Sequence, residues 1–146
     1  MNKIAEFQGQ HRFLSNFWPS DVMLGNIVYP SVEHAYQAAK SLDITYRHRV
    51  LVCNTAGQAK RVGRTAELRA DWDKVKLEVM FDLVRQKFAD EPLRGWLKAT
   101  GDAELVEGNR WGDRFWGVCW GQGQNHLGKM IMQVRKEINE ADKAEV

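Results

Sequence analysis

The sequence predicts an α+β fold, compact and mainly helical, in which a short β-hairpin and a small sheet accompany the helices of a single domain. Three observations lead there. The chain has 146 residues, the size of one domain that buries an adequate core without metals or disulfides. Apolar residues recur at helical spacing in several segments whose ends carry cap signals. Between two short apolar runs stands Gly25-Asn26, a pair suited to the tight primed turn of a hairpin.

The elements follow in order. Residues 7 to 20, "FQGQHRFLSNFWPS", are rich in aromatic and turn residues without a clean period and read as an irregular, partly buried segment. Residues 22 to 29 form the hairpin. In "YPSVEHAYQAAKS", Val32, Ala35, Tyr36 and Ala39 share one helical face, with Pro30 and Ser31 as the start signal. A strict capping box would place Glu or Gln at 34, where this chain has His34. A second helix is expected through "DITYRHRVLVCN", and a third in "TAGQAKRVGR", opened by Thr55-x-x-Gln58 and closed near Gly63. A longer core helix starts at Asp71, with Trp72, Val75, Val79 and Leu83 on one line and Met80, Val84 and Phe88 on the next. A short helix at residues 93 to 99 precedes a glycine-rich stretch with strand-like pieces "AELVE" and "FWGVCW". Leu127, Ile131, Val134 and Ile138 mark a C-terminal amphipathic helix that gives way to a charged, disordered tail over about residues 140–146.

Composition narrows the function classes. Lys and Arg number 21 against 19 Asp and Glu, a net charge of +2, so there is no general attraction to nucleic acid or anionic membrane. No N-terminal export pattern and no run of about 18 apolar residues occurs, which leads to the expectation of a soluble, cytoplasmic protein. Cys53 and Cys119 sit in no paired spacing, and His11, His34, His48 and His126 stand far apart, so neither a metal site nor a redox motif is indicated.

Several residues carry possible chemistry. Glu33, Gln37 and Lys40 fall together about a quarter turn from the apolar stripe of their helix, along its rim. A carboxylate there lines a cleft; in the plainer alternative Glu33 sits in water and favours the positive end of the helix dipole. Lys60, Arg61 and Arg64 lie on adjacent faces of the third helix, able to hold a phosphate or to form a solvated face. "WGQGQN" presents backbone N–H groups and a helix N-terminus suited to anions, though it is not the three-glycine dinucleotide fingerprint. Asp113 in "GDRFWG" reads either as a catalytic acid among aromatics or as a turn former.

Three blocks in this order, "FLSNFWP", "YPSVEHAYQAAK" and "FWGVCWGQGQNHLGKMIMQVR" after a "GDR" lead-in, resemble the NADAR, or YbiA-like, domain family. "AKRVGR" and the tryptophan of "DWDKVKLEVM" are similar to it as well, so the likeness runs from about Phe7 to Arg135. The resemblance implies a compact, mainly helical α+β domain and an N-glycosidase that splits a ribosyl–nitrogen bond. Its implied substrates are phosphorylated amino-pyrimidine intermediates of riboflavin synthesis, or ADP-ribose attached to guanine in nucleic acid. No cofactor, metal, membrane or stable protein partner is implied.

Carried over by motif, Glu33 and Asp113 are the expected catalytic residues, and Lys40, Arg64, Trp72, Trp116 and Asn16 the expected substrate-binding ones. Where the family often has Asn-Asp before its aromatic-Trp-Gly, this chain has Gly112-Asp113. A non-catalytic module binding NAD-like or ADP-ribose ligands is the rival reading of the same basic and aromatic residues.

Overall fold

A computed structural model of the chain describes residues 2–145. In chain order these form β1 (Lys3–Ile4), a 3-10 helix (Gly9–Leu14), β2 (Pro19–Leu24), β3 (Ile27–Ser31), α1 (Val32–Ala39), α2 (Ile44–Leu51), α3 (Ala56–Gly63), α4 (Trp72–Lys87), α5 (Leu93–Ala99), β4 (Glu104–Leu105), β5 (Gly108–Asn109), β6 (Val118–Cys119) and α6 (His126–Ala144). They belong to two compact units. Unit two is the continuous stretch Asn16–Lys87, and unit one combines the residues up to Ser15 with those from Phe88 onward.

Unit two is built around α1. The hairpin before it pairs Val22 with Tyr29, Met23 with Val28 and Leu24 with Ile27, and Gly25 takes the positive φ of 61° that its turn requires. A polar clamp fastens the hairpin to α4: Met23 N–H donates to Gln86 Oε1 at 2.7 Å, and Gln86 Nε2 donates back to the Met23 carbonyl at 2.9 Å. Around α1 stand α2, α3, α4 and both hairpin strands. Ala35, Ala38 and Ala39 are fully buried and let these neighbours approach closely. The cap signals at Ser31 and Thr55 hold, these side chains accepting from the amides of His34 and Gln58, and Asp43 caps α2 in the same way by accepting from Thr45 N–H.

Unit one packs α5 and α6 with two short parallel ladders, β1 on β4 and β5 on β6. The small sheet expected from the sequence is thus two separate parallel pairs, and β1 joins from a segment without periodicity. The glycine-rich stretch has a packing reason. A Cβ at Gly117 would stand 2.1 Å from the Glu107 carbonyl oxygen, and one at Gly128 would stand 2.2 Å from the Leu105 carbonyl oxygen. Backbone lies on backbone there, and only glycine leaves the room.

Asn125 ties the pieces together. It is buried at φ 54°, donates from Nδ2 to the Leu105 carbonyl at 2.9 Å and accepts from Glu107 N–H at 3.0 Å. Arg135 adds a second buried tie, donating to Thr100 Oγ1 and to the Ala103 carbonyl, each at 2.8 Å.

The expected disordered tail over about residues 140–146 is corrected, because α6 continues to Ala144. Asp142 holds its last turns, accepting from Arg94 at 2.5 Å and from Lys98. Val146 lies outside the described residues.

Two outcomes follow from these ties. Asn125→Ala removes two buried hydrogen bonds and puts alanine in a left-handed conformation, so urea unfolding should show a loss of about 2–4 kcal/mol with an unchanged slope. Hydrogen bonds from Arg94 and then Lys98 hold the Asp142 carboxyl down to about 2, against an ordinary 3.8. A depressed folded-state value means that its stabilisation is complete above 3.8 and is lost as pH falls through about 2. Acid unfolding followed by circular dichroism should therefore be steeper in this range for the natural chain than for Asp142→Asn.

Candidate active site

Glu33 stands at the second position of α1, where a helix amide has no partner within its own helix. The Asn16 carbonyl accepts that amide at 3.1 Å. One residue on, Ser31 Oγ accepts His34 N–H at 3.0 Å and lies 2.6 Å from His34 Nδ1. His34 Nε2 is 3.0 Å from the Cys53 carbonyl, which can only accept, so Nε2 carries a proton, and in the neutral ring Nδ1 accepts a hydrogen bond from the Ser31 hydroxyl. His34 thus fills the capping-box position by bridging the cap side chain and the segment after α2. The first turn of α1 is held from both sides.

The Glu33 side chain is 8 % exposed, so the alternative that left it in water is overturned. The rim itself is also revised: every residue of α1 is buried, with α2, α3, α4 and both hairpin strands packed around it. Gln37, one turn on and 4 % exposed, donates from Nε2 to Glu33 Oε2 at 2.6 Å.

At the end of α1, Lys40 Nζ stands 5.9 Å from the centre of the Tyr36 ring, and Lys60 of α3 lies 6.0 Å from the centre of Phe17. Burial lowers the Lys40 ammonium below its ordinary range, Glu33 opposes the shift, and Lys60 and Arg64 reinforce it. Four charged groups from two helices therefore share one field, three of them cations. An anion entering it relieves their repulsion.

Of the expected substrate-binding residues, Asn16, Lys40, Arg64 and Trp72 belong to unit two with Glu33. Asn16 is buried, with Nδ2 3.5 Å from Met80 Sδ, and its main chain holds the Glu33 amide. Arg64 is exposed at the end of α3. Trp72 is 5 % exposed and packs on Tyr36 with ring centres 5.2 Å apart, a wall behind Tyr36.

Asp113 and Trp116 belong to unit one. Asp113 Oδ1 accepts from Phe115 N–H at 3.1 Å and Trp116 N–H at 2.9 Å, the hydrogen bonds of a turn former. Asn109 grips its main chain from both ends, accepting from Asp113 N–H at 3.1 Å and donating to the Asp113 carbonyl at 2.8 Å. Gly112, where the family often has Asn, takes φ 90°. Trp116 is half-buried and meets Phe115 edge-on at 4.8 Å, while Phe115 lies 4.5 Å from His126.

The anion site suggested for "WGQGQN" is corrected. The amides of Asn125, His126 and Leu127 donate to the carbonyls of Gly117, Phe115 and Trp116 at 3.2, 3.2 and 2.9 Å. The helix N-terminus spends these donors on its own chain.

Three participants were not singled out as site residues from the sequence. Gln37 and Lys60 had a signal: Gln37 lies four residues after Glu33, a pair that meets on any helix, and Lys60 was noted among the cations of its helix. Tyr36 carried only the signal of a core residue.

Among the described residues no helix is long and apolar enough to cross a membrane. The model of the NADAR domain matches residues 5–139, a stretch that runs through both units. A riboflavin biosynthesis protein of Vibrio vulnificus is 42% identical over 134 residues, covering 89% of this chain, which spans 36% of that protein's length. An N-glycosidase of Nostoc punctiforme is 40% identical over 131 residues, with 85% of this chain and 83% of the relative covered. The N-glycosidase YbiA of Escherichia coli is 37% identical over 130 residues, with 85% and 79% covered. The NMR structure of Escherichia coli YbiA matches with a TM-score of 0.84 at 32% identity, covering 99% of this chain and 87% of the other. With the α+β architecture and the Glu33 motif in place, these matches establish that the chain belongs to the NADAR domain family.

Proposed function

We propose that this chain is an N-glycosidase that hydrolyses the ribosyl–nitrogen bond of a phosphorylated, guanine-like nucleotide derivative, with Glu33 as the reacting carboxylate. The observation that carries the reading is a buried glutamate, gripped by Gln37, in one electrostatic field with Lys40, Lys60 and Arg64. Hydrolysis adds water to the ribose carbon, breaks the bond to the base and leaves a proton on the departing nitrogen. Positive charge builds on the sugar as that bond lengthens, and a fixed carboxylate opposes it where water is largely excluded. The same carboxylate orients the attacking water and takes its proton. The cations hold the phosphate, a remote part of the ligand whose binding energy positions the sugar.

The relatives named N-glycosidase support an activity of this class, and the riboflavin biosynthesis protein supports an amino-pyrimidine of the riboflavin route as substrate. Asp113, Trp116, Trp72 and Asn16 enter the proposal from the family motif. Asp113 offers a ligand its Oδ2, since Oδ1 is engaged by two amides. The two units are taken to serve as one domain, because the family match runs through both. The free thiols Cys53 and Cys119 fit a reducing, cytoplasmic setting.

Incubation with a phosphorylated ribosyl-amino-pyrimidine and with an ADP-ribosylated guanine oligonucleotide should release base, faster from the first. Glu33→Gln keeps the shape but cannot take a proton, and kcat should fall by about 100- to 10,000-fold. Full activity in that variant removes Glu33 from its role. Calorimetry with the same phosphorylated ligand should show Lys40→Ala weakening binding by about tenfold or more. Tight binding without base release, unchanged by Glu33→Gln, would instead favour the non-catalytic module.

A further inference from the structure

The Gln37 amide is bonded at one end only. Nε2 donates to Glu33 Oε2 at 2.6 Å, while Oε1 is buried without a partner among the described residues. That oxygen lies against α3 at Gly63: a Cβ there would stand 1.8 Å from Oε1 and 2.5 Å from Cδ. A buried amide oxygen without a donor is costly and calls for a reason. Turning the amide over offers no relief while Glu33 is a carboxylate, because two acceptors would then face each other. If Glu33 were protonated, the turned amide could accept its O–H, but the NH2 group would be pressed against Gly63 instead. Of the two orientations, the observed one is the one compatible with an ionised Glu33.

We infer that Gln37 is a positioning residue that keeps Glu33 ionised and fixes its direction, with Gly63 as the clearance that allows this orientation. The inference rests on the reading of Glu33 as the reacting carboxylate. It assigns that carboxylate the work of stabilising the cationic sugar and accepting the proton of water, which it then gives up to solvent, while the leaving nitrogen takes its proton from solvent and not from Glu33. A hydrogen bond donated to the charged form favours that form.

The other groups around the pair come from α1 itself, α2, α3, α4 and β3, while the one charged residue of β2, Asp21, is exposed. Lys40 at the end of α1 acts on Glu33, and Lys60 and Arg64 from the α3 side act on Lys40. From α2, the Tyr46 hydroxyl donates to the Gln37 carbonyl at 2.7 Å, while Arg47 is turned to the Ser41 carbonyl. On α1 itself His34 is engaged with Ser31 and Cys53. From α4, Trp72 packs on Tyr36, and β3 contributes the uncharged Tyr29 and Ser31. Lys40 also favours an ionised Glu33, so the test must single out the amide.

Carbon-13 NMR titration of the Glu33 carboxyl in the full chain does so without substrate or turnover. Gln37→Met keeps the bulk and removes the donor, and the Glu33 midpoint should move up by about one pH unit. Gly63→Ala keeps both Glu33 and Gln37 but pushes the amide away from Glu33, so it should move the midpoint in the same direction. The acid limb of kcat should follow in both variants, whereas a loosened fold lowers the rate at every pH. An unchanged Glu33 midpoint in both variants overturns the inference. A midpoint that moves in a protein releasing no base upholds the role of Gln37 and leaves the hydrolytic reading to fail separately.

Discussion

A carboxylate out of water must have its solvation replaced by hydrogen bonds and opposite charge, or it will not stay charged. Unit two meets this requirement at Glu33. The helix that carries it is sheathed by three other helices and a hairpin, so the glutamate has little water to rely on. In place of water stand the Gln37 amide one turn away and Lys40 within electrostatic reach, while the Asn16 carbonyl fixes the glutamate's backbone. Much of the local sequence serves that arrangement: alanines that let the sheath close, a glycine on α3 that clears the amide, and a serine and histidine that hold the first turn.

The cations illustrate the same balance from the other side. Lys40 is partly buried beside two like charges, an arrangement that lowers its readiness to hold a proton and that an anionic ligand would reverse. Carboxylate and ammonium sit at opposite ends of one short helix, so a single rigid rod sets the separation between the group that acts on a sugar and the group that holds a phosphate. Rigidity of this kind is what a reaction dependent on placement requires.

Unit one solves a different problem. Its aromatic and glycine-rich stretch has little regular structure, and its order comes from main chain lying on main chain, with Asn109, Asp113 and Asn125 supplying the hydrogen bonds that a sheet would otherwise provide. The Trp120-Gly121 corner shows how tight this path is. Both residues take positive φ, 51° and 77°, in a turn closed by Cys119 and Gln122, and the indole is left 75 % exposed. Such a conformation is unfavourable for a bulky side chain, so the surrounding closure imposes it.

Local rules in the amino-acid order were sufficient for the helices, their caps and the hairpin, because a cap or a two-residue turn involves neighbours only a few positions apart. Ser31, Thr55 and Gly25 act as their chemistry requires. The motif around Glu33 was equally legible, and so was the i, i+4 placement of Gln37. Burial was not. Amphipathic spacing identifies which face of α1 is apolar, but only the packing of α2, α3, α4 and the hairpin covers the remaining sides and turns a rim glutamate into a buried one. The short parallel ladders, the spent donors at the start of α6 and the ordered end of that helix also depend on partners beyond the reach of local rules, such as Gly117 for the Asn125 amide and Arg94 for Asp142. Sequence by itself determined which segments could form and which chemical groups they carry; tertiary structure decided which of those groups lose their water, and hence which can do chemistry.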